Sequence, residues 1–203
     1  MFVCTSCGLV HEPDEHGFVP FSPLTAAATT DLAVSGDIHY LAVWRLSVNV
    51  SSTCWDRIRK IAAPAEPVLY VPAFTLARAV VQQLGVGLTE AQPVLQLTQG
   101  LYPSILQRPI LANSAGTRWQ SPDFGPEFGV LSPILVGRKD AHVLAHFVYM
   151  AVESHEAHEL HSVDYELETT GEELIFLPAV WDPRYIHDSN WRLLLREFDG
   201  LVA

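Results

Sequence analysis

Three apolar, aromatic-rich segments of the chain have the pattern of buried β-strands. They lie at 38–50, 68–74 and 173–181, and the first and the last both contain the triplet Ala-Val-Trp. The third segment is followed by a turn-like Asp182-Pro183 and then by a second apolar run at 191–200, which predicts two antiparallel strands. We interpret these segments as walls of one β-rich core.

Two other segments have the composition of helices. Residues 75–84 consist largely of helix formers, and Gly85 follows them as a predicted C-terminal stop. Residues 140–159 contain neither glycine nor proline, and Asp140 at their start is typical of a helix N-terminus. We therefore predict one or two helices packed against the strands.

The remaining strand predictions rest on alternation and on turn residues. Residues 161–168 alternate between polar and apolar types, and the Thr-Thr-Gly sequence at 169–171 predicts a turn, so 161–181 is predicted to form a hairpin. A proline-rich insertion at 88–137 leaves room for short strands at 94–98 and 130–136. Because long loops in compact domains are often binding elements, we expect partner contacts there.

The chain begins with a pair of cysteines in metal-binding spacing. Cys4-Thr-Ser-Cys7-Gly8 places two thiols three residues apart, and Gly8 permits the left-handed turn that directs both sulfur atoms to one ion. This pattern predicts a zinc knuckle that supplies two of the four ligands of a structural zinc site. The alternative is a pair without metal or a redox dithiol, although no thioredoxin-like pattern follows it.

The other two zinc ligands can be assigned in two ways. A local assignment uses His11 and His16, and gives the spacing Cys-x2-Cys-x3-His-x4-His. It is not a two-Cys two-His finger, in which roughly a dozen residues separate the second cysteine from the first histidine. The second assignment takes another Cys-x-x-Cys pair from an earlier stretch, from a partner or from a twin subunit. We favour this external assignment.

These patterns divide the chain into three parts. Residues 1–19 are predicted to be a partial zinc ribbon, and residues 20–36, which have little charge and strong turn signals, a linker or surface loop. Residues 37–203 are predicted to form the main domain, with 88–137 as an insertion. The expected fold class is α+β, with a mainly antiparallel sheet, one or two packed helices and the N-terminal partial zinc ribbon.

The composition and net charge of the chain limit the classes of partner and the cellular location that we expect. The 203 residues carry a formal net charge of −11, and the 12 lysines and arginines form no basic stripe, which argues against a nucleic-acid partner. No run of about 18 apolar residues is present, so no membrane segment is predicted. The start of the chain does not have the layout of a signal peptide, and three cysteines fit a reducing compartment; we expect a cytoplasmic protein.

A second metal hypothesis concerns the helix predicted at 140–159. On a helical wheel, one face is apolar and the opposite one is polar. The apolar face holds Leu144, Phe147, Val148 and Ala151, and the polar face holds His142, His146, Tyr149, Glu153 and Glu156.

The histidines at the end of that helix leave two interpretations open. His155, His158 and His161 have three-residue spacing, and together with Glu153, Glu156 or Glu159 they form a candidate site for a divalent metal. The other interpretation is that the helix ends near Glu156 and the histidines solvate its negative end. We favour the second, because no His-Glu-x-x-His motif is present.

Together these segments resemble a group of uncharacterised bacterial proteins in which an N-terminal zinc ribbon precedes strands of the Leu-Pro-x-Trp type. The matching segments are Cys4-Thr-Ser-Cys7-Gly8, Tyr40-Leu-Ala-Val-Trp44, Tyr70-Val-Pro-Ala-Phe74, the helix at 140–158, Leu177-Pro-Ala-Val-Trp181 and Phe198-Asp-Gly200. The resemblance implies zinc and a non-catalytic accessory role. A ribbon of that kind has two knuckles, so it also implies that an upstream piece or another chain supplies the second one.

Two functional hypotheses follow. The first is a non-catalytic zinc-binding accessory or scaffold protein that acts through protein–protein contacts in a larger assembly, with another protein or a second copy as partner. It is favoured because the motifs contain no nucleophile with an adjacent base, no phosphate loop and no paired carboxylates. The alternative is a metal-dependent enzyme whose His and Glu ligands lie on the helix at 140–159.

Overall fold

The computed structural model describes residues 1–4, 6–28, 38–52, 57–62, 65–101, 131–154, 164–181 and 191–195. These residues form nine strands and three helices. The strands are β1 Phe2–Val3, β2 Val10–Asp14, β3 Gly17–Phe21, β4 Leu24–Ala26, β5 Ile38–Ser52, β6 Val68–Pro72, β7 Leu97–Gln99, β8 Tyr165–Trp181 and β9 Trp191–Leu193, and the helices are α1 Arg57–Ala62, α2 Arg78–Ala91 and α3 Arg138–Ser154. The predicted α+β class is confirmed.

The strands form a small sheet and a large one. The small sheet has the order β1-β2-β3 and is antiparallel. The large sheet has the order β6-β5-β8-β4-β7, and β9 also pairs with β8. Among the strand pairings of the described residues in this sheet, only β4–β8 is parallel. The three predicted walls of the core are therefore direct neighbours, as β6, β5 and β8, and the antiparallel pairing of 173–181 with the run that begins at Trp191 is confirmed.

The prediction of a hairpin at 161–181 was wrong. Strand β8 runs without a turn from Tyr165 to Trp181 and pairs with β5 from Tyr165 to Val180. Thr169 and Gly171, where the turn was predicted, pair with Val48 and Ser47 on either side of a β-bulge. A bulge absorbs one extra residue without ending a strand, so the Thr-Thr-Gly sequence bends β8 instead of reversing it.

The predicted helix stop at Gly85 was also wrong. Helix α2 continues through this glycine to Ala91 and ends at Gln92, which has a left-handed φ of 43°. A Cβ atom on Gly85 would lie 2.9 Å from the backbone oxygen of Tyr70 in β6. The glycine is therefore needed for a close approach of helix and strand, and not for the end of the helix.

Helix α3 buries a different face from the one predicted. Tyr149 and Glu153, assigned to the polar face, are 0% and 3% exposed. The carboxylate of Glu153 accepts hydrogen bonds from the backbone N–H groups of Arg57, at 3.2 Å, and Ile58, at 3.0 Å. Glu153 thus satisfies N–H groups that the first turn of α1 leaves unpaired, which explains why an acid lies on the buried side.

The helices and strands meet in one apolar core. Helices α2 and α3 pack against each other and against β6, and α1 contacts both helices. In β5 the consecutive residues Leu41 to Trp44 are all buried, so this strand is covered on both faces. The indole Nε1 of Trp44 donates a hydrogen bond of 2.9 Å to the backbone oxygen of Val136, just before α3 begins.

The segments predicted as linker and insertion contribute to the same sheet where the structure describes them. Within 20–36, strand β4 pairs with β8, and its Thr25 and Ala26 are 0% exposed. Of the two short strands predicted in 88–137, the first, at 94–98, is confirmed only in its last two residues, because β7 covers Leu97–Gln99 and 94–96 form no strand. In the second, Leu131 forms a single bridge with Tyr40 and the described residues after it form no strand. None of the three helices is long and apolar enough to cross a membrane.

Candidate metal centre

The small sheet places its side chains on two faces with different roles. Directly opposed residues in antiparallel strands share a face. Phe2, His11 and Pro20 are opposed across the three strands, and so are Val3, Val10 and Phe21. Val10 is 0% exposed and Phe21 stacks on Trp44 of the large sheet, with ring centroids 6.0 Å apart. The face of Val10 is therefore the inward one, and the face of His11 is directed away from the core.

The loop between β1 and β2 has the backbone geometry that the sequence predicted for a knuckle. The N–H of Gly8 donates to the carbonyl oxygen of Cys4, and the N–H of Cys4 donates to that of Leu9, both at 2.8 Å. Gly8 has a φ of 71°, so its predicted left-handed conformation is confirmed. These two bonds fold the loop back on itself and hold both cysteines at one end of the sheet.

Three metal-ligating side chains converge at this loop. The sulfur atoms of Cys4 and Cys7 and a ring nitrogen of His11 all lie within 4.8 Å of one another. Around a tetrahedral zinc ion, donors of these types are about 3.5 to 3.8 Å apart, so small side-chain rotations close the group on an ion. Cys7 is exposed, and Cys4 and His11 are partly buried. These three side chains therefore fit a metal ion and would supply three of its ligands.

The backbone around Cys4 favours the form of the thiol that binds metals. Hydrogen bonding from the backbone N–H of Cys7 is the largest cause that lowers the pKa of Cys4 below its ordinary value, followed by the side chain of Cys7 and the N–H of Ser6. The thiolate is the metal ligand. A lowered pKa reduces the competition between protons and a metal ion for the sulfur atom.

An aromatic contact fixes the ring of His11. The ring of Phe2 stacks on it with centroids 5.0 Å apart and an interplanar angle of 5°, and Phe2 also meets the edge of Phe18 at 5.2 Å. Rings held in this way lose little rotational freedom when a ligand binds. The stacking therefore lowers the cost in side-chain entropy when the imidazole binds a metal ion.

The second histidine of the local assignment lies elsewhere. His16 is exposed in the turn that joins β2 to β3, beyond the last strand pair Asp14–Gly17. Strand β2 carries the chain away from the cysteines by about 3.3 Å per residue, or about 10 Å between His11 and Asp14. The structure therefore brings Cys4, Cys7 and His11 together and does not bring His16 to them.

The structure describes only part of the segment in which the alternative site was predicted. His155, His158, Glu159 and His161 lie outside the described residues. The two described histidines of the helix have other partners: Nε2 of His142 lies 2.6 Å from a carboxylate oxygen of Glu172, and Nδ1 of His146 lies 3.0 Å from the hydroxyl of Tyr165. Within the described part of the chain, these histidines form no group of three or more metal ligands.

Glu12 connects the three converging side chains of Cys4, Cys7 and His11, here called the metal group, to the main domain. The sequence analysis did not identify this role. One carboxylate oxygen of Glu12 accepts a hydrogen bond of 3.1 Å from the backbone N–H of Arg138, the first residue of α3, and the other lies 3.1 Å from its Nε. The same guanidinium forms a 2.5 Å ion pair with Glu172 and lies over the rings of Phe21 and Trp44. Alternation along β2 was a signal that Glu12 faces inward, but nothing in the sequence identified its partner.

We expect the variant Glu12→Gln to bind metal about fivefold more weakly, which corresponds to about 1 kcal/mol. The substitution removes a charged contact between β2 and α3, so a smaller fraction of molecules has the ligands in place, and the apparent affinity falls with that fraction. Competition with a chromophoric chelator measures the affinity. Glu15→Gln, an exposed change in the hairpin turn, is the matched control and should leave it unchanged. Equal affinities for the two variants would show that Glu12 does not support the metal group.

The assignment of this site rests on the geometry of Cys4, Cys7 and His11 and on the contacts of Glu12. Comparisons of the chain with models of protein families, with curated proteins and with solved structures found no match.

Proposed function

We propose that this protein is a zinc-binding accessory protein that acts through contacts with other proteins and not through catalysis. Cys4, Cys7 and His11 would hold one zinc ion at the end of the small sheet. The observation that carries the proposal is the convergence of two sulfur atoms and one imidazole nitrogen within 4.8 Å of one another.

The chemistry of the donors supports zinc over other common metal ions. Thiolate and imidazole are the ligands of structural zinc sites, whereas magnesium and calcium take oxygen ligands. Zinc in such sites has four ligands, and three converge among the residues that the structure describes. Because Cys7 is exposed, the ion would be accessible to a ligand from outside. We assign the fourth position to a partner molecule. This proposal takes His11 from the local assignment and one ligand from outside, whereas the external assignment that the sequence favoured takes both remaining ligands from a second Cys-x-x-Cys pair.

The contacts of α3 support an accessory role over the enzymatic alternative. Glu153 caps α1, and His142 pairs with Glu172. These contacts connect α3 to other elements and give the two residues structural partners. No observation on the described part of α3 favours the metal-dependent enzyme, which remains a hypothesis about His155, His158, Glu159 and His161.

Metal analysis of the purified chain tests the proposal. We expect one zinc per chain in the wild type, none in Cys4→Ser, because a thiolate ligand is removed, and an unchanged content in His16→Ala, which alters the histidine that lies away from the group. The measurement is elemental analysis by inductively coupled plasma mass spectrometry after dialysis. Zinc that persists in Cys4→Ser but disappears in the double variant His155→Ala/His158→Ala would overturn the proposal in favour of the enzyme.

A further inference from the structure

We propose that the outward face of the small sheet binds a segment of a partner protein in which lysine or arginine residues stand beside apolar ones. This inference rests on the proposed function and names the class of its partner. The outward face consists of Phe2, His11, Pro13, Phe18 and Pro20, which the pairing of β1, β2 and β3 places on the same side.

The outward face is apolar and already ordered. Phe2 and Phe18 are 48% and 61% exposed, and Pro13 and Pro20 are exposed as well. Adjacent exposed aromatic rings are typical of contact surfaces, because large rings bury much area and have few rotatable bonds. Here the stacking of Phe2 on His11 and its edge contact with Phe18 fix the rings further. A partner would therefore gain apolar contact at a small cost in side-chain entropy.

The charge around this face selects a basic partner. No lysine or arginine precedes Arg45 in the sequence, and Asp14 and Glu15 are exposed at the end of the hairpin. Glu12 is paired with Arg138 on the other side of the sheet, and two thiolates balance the two charges of a zinc ion. Asp14 and Glu15 thus give the end of the hairpin a negative charge, Asp14 on the side of Glu12 and Glu15 in the turn. Acidic groups and ring faces both attract ammonium and guanidinium groups.

The same charge disfavours a second copy as the occupant. Two identical outward faces in contact would bring two acidic hairpins together, and each chain carries a formal net charge of −11. Like charges across an interface weaken association. Electrostatic complementarity therefore favours a basic segment of a different protein over self-association.

A peptide titration tests the inference. The probe is a nine-residue peptide of alternating arginine and valine, added to the 15N-labelled, zinc-loaded full chain and followed by amide chemical shifts. We expect shifts centred on Phe2, His11 and Phe18, and no comparable shifts from a peptide with glutamate in place of arginine. Phe18→Ser should raise the dissociation constant about tenfold, as for a central aromatic contact.

Two further variants test whether the peptide binds the outward face specifically or is attracted by the negative charge of the chain as a whole. Asp14→Lys/Glu15→Lys should weaken binding of the arginine peptide, because it reverses the charge at the end of the hairpin without altering the rings. Val143→Ser, which changes an apolar side chain that is 69% exposed on α3, should leave the dissociation constant unchanged. Retention of zinc by Phe18→Ser shows that the loss of binding is not a loss of the metal group.

Three results would overturn the inference: shifts centred elsewhere on the chain, an unchanged dissociation constant in Phe18→Ser, or a dimer in sedimentation experiments that Phe18→Ser dissociates. The last result would identify a second copy as the occupant. Failure of the proposed function is distinguishable, because it appears as an absence of zinc in the wild type. If the wild type holds no zinc, the same titration is carried out on the full chain without metal, and the three results have the same meaning there.

Discussion

Removing the metal from the loaded protein should open the loop between β1 and β2 and leave the large sheet intact. Strand β1 has only two residues, so strand pairing does little to hold the loop that follows it. A ligand present at a thousandfold excess over its dissociation constant adds about 4 kcal/mol to the stability of the state that binds it. Chelation removes this contribution, while the contact of Glu12 with α3 remains.

Hydrogen exchange measures this prediction residue by residue. The amides of Cys4 and Gly8, whose hydrogen bonds close the metal-binding loop, should exchange about a thousandfold faster after chelation. The amides of Val43 and Trp44 in the centre of the large sheet should not change. Cys7→Ser is the control, because its loop amides should exchange fast with and without chelator. Equal protection of the loop in loaded and chelated wild-type protein would contradict the prediction.

The substitution Gly85→Ala should lower the free energy of unfolding by about 2 kcal/mol, within the range for overpacked sites. The added Cβ would lie 2.9 Å from the backbone oxygen of Tyr70, 3.1 Å from Cγ2 of Val148 and 3.3 Å from Cδ of Pro72. A backbone oxygen in the middle of β6 cannot move aside in the way that a flexible side chain can. Alanine stabilises a helix by about 1 kcal/mol relative to glycine, and we expect the steric cost to exceed this gain.

The matched control for Gly85→Ala lies two residues further along the same helix. Gly87 is partly exposed, so Gly87→Ala should raise the free energy of unfolding by about 0.5 to 1 kcal/mol through helix propensity alone. Urea denaturation of both variants gives the two changes, which we expect to differ in sign. Stabilisation by both substitutions would show that α2 and β6 are not as close at Gly85 as the structure indicates.

The features that the sequence predicted correctly depend on neighbours along the chain. The Cys-x-x-Cys-Gly spacing is sufficient to form the knuckle loop, because its hydrogen bonds join residues four or five positions apart. The long strand β5 followed from alternation and apolar content over its own length. His11 lies four residues after Cys7 and the structure brings it to the cysteines, although the sequence favoured an external ligand pair over it. His16 is close in sequence too, but an extended strand separates it from the group.

The features that were missed depend on contacts between distant parts of the chain. Glu12 and Arg138 are 126 positions apart, and Glu153 and Arg57 are 96 apart. A helical wheel places Glu153 on a polar face because it cannot include the N–H groups of α1. Gly85 has the appearance of a stop signal, and only the position of β6 shows why a side chain is excluded there. The bulge in β8 likewise follows from its pairing with β5.

The arrangement of β2 also limits how the N-terminal region can change in length. His11 and Glu12 are consecutive, yet one side chain reaches toward the metal group and the other toward α3, because side chains alternate along a strand. Insertion of a single residue just before them would turn the imidazole toward α3, and deletion of one would turn the carboxylate toward the cysteines. Changes of two residues would preserve both directions but would displace His11 along the strand by about 6.6 Å. We therefore expect the number of residues between Cys7 and His11 to be fixed in variants that keep the metal site.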